Sequence, residues 1–600
     1  MSENKVLERA QIEEQYKWDL SSLFTDDNAW NEAFTAIDEQ IDKLPAYAGK
    51  LSESPEMLRE FLDAQETVSC KMSNIYCYAS LRKSEDTRGQ EAQIMISKAY
   101  SKMIKMSSLL SFVEPEILAM SDERLEEYLN APALADYRFT LEKLIREKAH
   151  TLSEAEEKIL AGMGEIASAP GDIAEMLQDA DMVFDPIVKE NGETIELTGS
   201  NFILLQNSTD REVREKAFKN YYKGFKQHIN TFTATYSANV KADAFEASTR
   251  NYDSARAMSM AGENIPAAVY DSLIETIHKY LPAMYRYVEL RKKMLGVDEL
   301  RPYDTYVPLV ADVQRTIPIE EAKKTVYEGL APLGDEYRAI LKEGFENRWI
   351  DVYQNEGKRS GAYSAGGAVH PFVLLNYSNN LASQLTLAHE MGHAIHSYYS
   401  HKTQAPFDAH YVIFVAEVAS TCNEALLMQH LLAKATDKKE RAYLINHFLE
   451  KFRGTLYRQT MFAEFELNIG RMNQEGKTLT AEVLCAEYRR LVELYFGEDL
   501  VSDEEIAMEW SRIPHFYMNY YVFQYATGFS AAIALSRKIL KEGESAVKDY
   551  IGFLSGGCSK SPIDLLKGAG VDMTSPEPVN QALQLFGELI EELEGLLEEE

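Results

Sequence analysis

The chain has 600 residues, 45% of them apolar and 26% charged, which is the usage of a folded globular protein and not of a disordered one. With 62 Lys plus Arg against 95 Asp plus Glu its formal charge is −33, which opposes phosphate backbones and anionic lipid, so no nucleic acid and no membrane surface is expected as a partner. A chain of this length outgrows a single core, so two or more lobes are expected, with room for an enclosed site.

The first stretch, MSENKVLERAQIEEQYKWDL, has no basic segment followed by an apolar one, and no later segment stays apolar for the roughly 18 residues a membrane span needs. A cytoplasmic location is expected. Apolar residues three and four apart predict long helices near residues 89 to 118, 266 to 295 and 441 to 469, so the protein should be mainly α. Between the first two, MVFDPIVKENGETIELTG places Asn191-Gly192 between alternating runs and predicts a β-hairpin. EGKRSG at 356 to 361 lacks the pattern of a phosphate loop and reads as a turn. Next comes GAYSAGGAVHPFVLLNYS, whose run His370 to Tyr377 predicts a strand of a small sheet. That strand is either buried or an edge offering its backbone to an extended peptide. The five cysteines, Cys70, Cys77, Cys422, Cys485 and Cys558, are sparse and lack zinc spacing, so they read as reduced core residues. The C-terminal GELIEELEGLLEEE reads as a solvated amphipathic helix.

The chemistry concentrates in LTLAHEMGHAIHSYYS, Leu385 to Ser400. On a helix, His389 and His393 project from one face about 6 Å apart along the axis, and both rings can reach a common ion at about 2 Å. Glu390 points about 100° away, too far round to join the same ion easily, but able to take a proton from the water that the ion polarises. Catalytic zinc normally has three protein ligands, so another is needed. His396, about 10 Å up the helix from His389, strains a shared tetrahedron and suits a supporting or substrate contact better. Glu417 and Glu424 share a face of the helix predicted in YVIFVAEVASTCNEALLMQHLL. If that helix packs antiparallel to the first, one of the two completes the site and the other can hydrogen-bond a ligand histidine.

These residues resemble a known family. HEMGHAIHSYYS, followed 24 residues after His393 by Glu417 in FVAEVASTCNEALL, resembles the thimet oligopeptidase family of zinc peptidases. The likeness continues through GKRSGAYS, LYRQTMFAEFE and HFYMNYYVFQYATGFSAA, over approximately residues 200 to 585. The resemblance implies a two-lobed helical body around a deep central channel with zinc on its floor, Glu417 as the third ligand and Glu424 as its support. It also implies an N-terminal helical lobe over 1–200 that ends in the hairpin, and a catalytic domain over 201–600.

RIPHFYMNYYVFQYATGFS is rich in tyrosine and reads either as an amphipathic core helix or as a source of donors to an oxyanion. The resemblance supports His515 and Tyr520 in that role through the spacing H-x4-Y. A further family tyrosine is replaced here by Thr527-Gly528, which leaves Tyr521 or Tyr525 to substitute. The expectation is a zinc metalloendopeptidase for short peptides with one ion per chain: His389, His393 and Glu417 as ligands, Glu390 as base, His515 and Tyr520 as oxyanion donors. The alternatives are a zinc carboxypeptidase, which needs a cation for the substrate's terminal carboxylate, and a peptide-binding scaffold with structural zinc, which needs no Glu390.

Overall fold

The computed structural model describes residues 6–310, 315–366 and 369–598. In chain order the elements used below are α1 (Pro55–Glu85), α2 (Gln90–Leu109), α3 (Glu154–Met176), β1 (Ile187–Val188), β2 (Thr194–Ile195), α4 (Arg211–Thr249) and α5 (Ala267–Leu295). There follow β3 (Ile350–Asp351), β4 (Tyr363–Ala365), β5 (Phe372–Leu374), α6 (Leu381–Thr403), α7 (Ile413–Lys434), α8 (Arg458–Gln474), α9 (Phe523–Glu542) and α10 (Glu577–Glu598). The fold is mainly α, as the helical periodicity predicts, and no helix among the described residues is long and apolar enough to cross a membrane. None of the five cysteines is joined in a disulfide.

The chain packs into two compact units, each drawn from separated stretches. The first holds Met1–Ala149, Arg315–His430 and Leu535–Val571; the second holds His150–Gln314, Leu431–Ala534 and Asp572–Glu600. Residue 200 falls inside the second unit, where α3 packs along α4.

In the first unit α1 and α2 form an antiparallel pair. Pro55 starts α1 at the first helical position, where its missing N–H costs nothing, and the Ser54 hydroxyl caps it by accepting from the Met57 N–H. Ile75 and Tyr78 of α1 share a core with Trp18, Trp30, Phe372 and Leu374. This core decides between the two readings of the run His370 to Tyr377. It is the buried strand and not an edge: β5 lies between β3, to which it is parallel, and β4, to which it is antiparallel. Phe372, Val373 and Leu374 are all fully buried, because both faces of the strand are covered, and each such burial contributes about 1.5–3 kcal/mol. The unbroken apolar run PFVLL is the mark of a strand without a wet face. The edge beside α6 is β4.

EGKRSG does turn, at Glu356-Gly357, but Lys358 then runs inward to Asp351 of β3 at 2.6 Å, with both side chains buried. Arg9 bonds the same carboxylate at 2.7 Å and Glu85 of α1 at 2.8 Å. The sheet, the N-terminal segment and α1 are thereby pinned to one another.

In the second unit β1 and β2 form the hairpin predicted around Asn191-Gly192, with Ile187 opposite Ile195. The apolar face of α10 packs on α5, as an amphipathic last helix requires. Asp304 is fully buried and accepts from Arg211 and Arg214 of α4, each at 2.8 Å, and from the Arg301 N–H at 3.1 Å. Burial alone would raise its pKa; the hydrogen bonds from the two arginines outweigh burial and hold it below the usual carboxylate value. Its stabilising contribution is therefore present at neutral pH and lost as the pH falls through that lowered value. Asp304→Ala leaves the buried Arg214 guanidinium without its carboxylate and should cost the second unit about 3–5 kcal/mol, read from urea unfolding. An unchanged unfolding midpoint would show that the pair carries no stability.

Candidate metal centre

α6 begins behind Asn380, whose side chain accepts from the Ser383 N–H, and buries most of its length in the first unit. It carries His389 and His393 on the side that meets α7. Gly392, between them, lies directly over α7: a Cβ there would come within 2.6 Å of the Ser420 Cα and 2.8 Å of the Ala419 carbonyl oxygen. Only glycine permits this approach. Asn423 of α7 fastens the two helices, donating to the Ala388 carbonyl at 3.0 Å and accepting from the Tyr337 hydroxyl at 2.8 Å.

The approach brings three donor atoms together. His389 Nε2 and His393 Nε2 are 3.2 Å apart, and Glu417 Oε2 lies 3.2 Å from the first and 3.6 Å from the second. Tetrahedral bonds of about 2.0–2.1 Å require donors about 3.3–3.4 Å apart, so the triangle has the size of one face of such a site. The chemistry of the donors agrees. His389 Nδ1 faces Glu424 Oε1 at 2.6 Å, which places its N–H there and its lone pair on Nε2. The His393 ring is hydrogen-bonded to the Ala416 backbone, which places its lone pair on Nε2 as well. Two ring nitrogens and a carboxylate oxygen converge, and either a cation or, in its place, a proton on His389 Nε2 is needed between them. The Ser420 hydroxyl steadies Glu417 from the other side at 3.2 Å. Among the described residues this is the one cluster of three or more His, Cys, Asp or Glu placed to hold a metal.

Burial lowers the pKa of His389, but Glu417 and Glu424 prevail and take it up to about 10; burial, with Glu417 and Glu424 adding to it, pushes Glu390 up to about 7. Glu390 is 6% exposed and its Oε2 is buried with no hydrogen-bond partner among the described residues. It stands beside the three donors without joining them.

His396 is set apart from the cluster. It is buried, with its ring stacked on Tyr411 at 3.8 Å between centroids.

His515, Tyr520, Tyr521 and Tyr525 belong to the second unit, and their segment is not one helix. Pro514–Tyr517 forms a single tight turn, Asn519 and Tyr520 take left-handed backbone at φ 40° and 59°, and α9 starts only at Phe523. The Tyr525 hydroxyl is 3.3 Å from His515 Nε2, and the Tyr521 ring lies parallel to the imidazole. Tyr520 turns the other way. Its hydroxyl is 3.5 Å from the Glu466 carbonyl and lies over Gly470, where a Cβ would meet it at 2.1 Å. Sequence reasoning passed over Gly392, Asn423 and Tyr337. The available signal was Gly392 between the two histidines, with Ala416, Ala419 and Ser420 as small residues at helical spacing on the second predicted helix.

Comparison with known proteins places the chain in a family. The family model for peptidase family M3 matches residues 204–585, and one for oligopeptidase F matches 116–184. Oligopeptidase PepF of Bacillus subtilis is 47% identical over 596 residues, covering 99% of this chain and 89% of that protein. Group B oligopeptidase PepB of Streptococcus agalactiae is 40% identical over 599 residues, covering 100% and 99%. The crystal structure of oligoendopeptidase-F from Enterococcus faecium matches with a TM-score of 0.74 at 38% identity, covering 96% of this chain and 100% of that one. On the whole-length likeness and the M3 match across the histidine pair, Glu417 and the His515 segment, the chain belongs to peptidase family M3.

Proposed function

We propose that this M3 peptidase is a cytoplasmic, zinc-dependent endopeptidase that cuts internal bonds of short oligopeptides with one zinc ion per chain. The observation that carries the reading is the convergence of His389 Nε2, His393 Nε2 and Glu417 Oε2 beside a Glu390 oxygen that has no partner. The names of the relatives, oligopeptidase and oligoendopeptidase, support the substrate class. The formal charge of −33 argues against nucleic acid and anionic membrane as partners.

Bound zinc would supply a Lewis acid that polarises water and the scissile carbonyl. The chain's own groups do the rest. Glu424 fixes the tautomer and orientation of His389, so that its Nε2 stays available as a ligand. Glu390 takes the proton of the attacking water on Oε2 and returns it to the leaving amine; a carboxyl that burial has pushed up to about 7 suits both transfers near neutral pH. His515 donates to the oxyanion with a tyrosine of its own segment. Tyr525 and Tyr521, which contact the imidazole, fit that task better than Tyr520, whose hydroxyl points at the Glu466 backbone. His396, stacked on Tyr411, lies on the same face of α6 about two turns beyond His389 and shapes the wall there. The open edge of β4, packed on α6, is the strand on which an extended peptide can add its backbone.

Glu390→Gln keeps the size of the side chain and loses the base. Peptide turnover should fall by roughly 10² or more while metal analysis still finds zinc; full turnover in this variant would remove Glu390 from the mechanism.

Pairing with β4 needs an extended chain, so a nested series of peptides with both ends blocked should be cut internally. The same protein offered folded and denatured should be cut only when denatured, as mass spectrometry of the products would show. Rapid loss of the folded protein would contradict the reading, and cleavage confined to peptides with a free C-terminus would identify a carboxypeptidase instead.

A further inference from the structure

Within the second unit, α4 and α8 enclose a cavity of about 30 Å³ whose lining includes Asp243, Glu466, Asn519 and the rings of Tyr236, Phe516 and Tyr520. Its polar groups are acceptors left over from other bonds. Glu466 is 6% exposed; its Oε1 accepts from the Tyr520 N–H at 3.2 Å, and its Oε2 is buried with no partner among the described residues. Asn519 Oδ1 is likewise buried without a partner. Asp243 accepts from Asn239 Nδ2 at 3.0 Å through one oxygen. Among the described residues no cation offsets either carboxylate. The nearby Arg256 is committed to Asp271 at 2.5 Å, while the charges that act on Glu466 and Asp243 are those of Asp243 and Glu246, which add to burial in opposing ionisation.

A buried carboxylate beside a half-buried one, with no counter-charge, is costly, and the cavity exceeds the roughly 10–15 Å³ that one water or one small ion needs. Carboxylate and amide oxygens, with no thiolate or imidazole among them, select a hard cation over zinc. Two negative ligands favour a divalent ion, and calcium tolerates irregular oxygen geometry where magnesium holds on to its waters.

We propose that this cavity is a binding site for one calcium-type divalent cation, held by Glu466 Oε2, the free oxygen of Asp243 and Asn519 Oδ1. The site is separate from the zinc ligands and does not depend on their assignment. An ion on Asn519 ties α4 and α8 to the left-handed turn Asn519-Tyr520, which begins four residues after His515. It would hold that segment in place without touching substrate.

The test uses the full chain, saturated with zinc and equilibrated with Ca²⁺, with Mg²⁺ and K⁺ in parallel. Bound metal is counted by plasma mass spectrometry and thermal unfolding is followed. The expected result is one saturable calcium per chain beyond zinc and a melting temperature raised by calcium. Glu466→Gln and Asp243→Asn should each abolish both effects and leave the zinc content unchanged. If Glu466→Gln does not fold, Asp243→Asn and the wild-type count still decide. Absence of calcium beyond the zinc equivalent would mean that the carboxyls are held neutral and would overturn the proposal. So would calcium uptake that Asp243→Asn retains, or uptake of K⁺ alone.

Discussion

The helices of the metal centre meet at a point where neither has a side chain in the way. Gly392 leaves α6 bare between its two histidines, and the backbone of Ala419 and Ser420 fills that space. From that contact Glu417 lies one turn back along α7, within 3.2 Å of His389, and Glu424 lies one turn on, behind the same ring at 2.6 Å. One close approach thus sets both the proposed ligand and its proposed support, and the Asn423 bonds to Ala388 and Tyr337 fasten α7 to α6. A 23-residue helix buried on most sides is a rigid mount, which is what a site sensitive to tenths of an ångström requires.

Burial of charge is the second constraint, and the chain resolves it in different ways. Asp304 and Asp351 are matched by arginine or lysine at 2.6–2.8 Å, and they hold the frame of the units. At the candidate metal centre two histidines and Glu417 crowd together, and a bound cation would balance them. Glu390 sits between these regimes: buried and unpaired, its proton affinity is raised into the range where a carboxyl can both take and return a proton. The same logic, an acceptor with nothing to accept, marks Glu466 in the second unit.

Much of this was legible in the sequence because it is local. Long helices follow from periodicity, the hairpin from Asn191-Gly192, and the histidine pair from its spacing of four; the likeness to M3 peptidases then points to Glu417 over Glu424. What escaped depends on partners distant in sequence. His370 to Tyr377 reads as a strand, but its central position follows from the core that Trp18 and α1 build over it. Lys358 reads as a turn residue because the network that draws it in, Asp351 shared with the distant Arg9, is assembled only by the fold. RIPHFYMNYYVFQY has the composition of a buried helix, yet Asn519 and Tyr520 turn it left-handed, with the Tyr520 N–H anchored to Glu466, 54 residues upstream.

The claim that the α6–α7 contact creates the metal site is tested most directly by Gly392→Ala. The added methyl group changes no ligand, no charge and no second titrating group, but it cannot fit within 2.6 Å of the Ser420 Cα. Zinc affinity, measured by competition with a chelator on protein whose helical circular dichroism is intact, should fall by at least the roughly 10–100-fold that follows loss of a supporting contact. Wild-type affinity in that variant would contradict the account, because it would mean that Glu417 reaches the histidine pair without the close approach of the two helices.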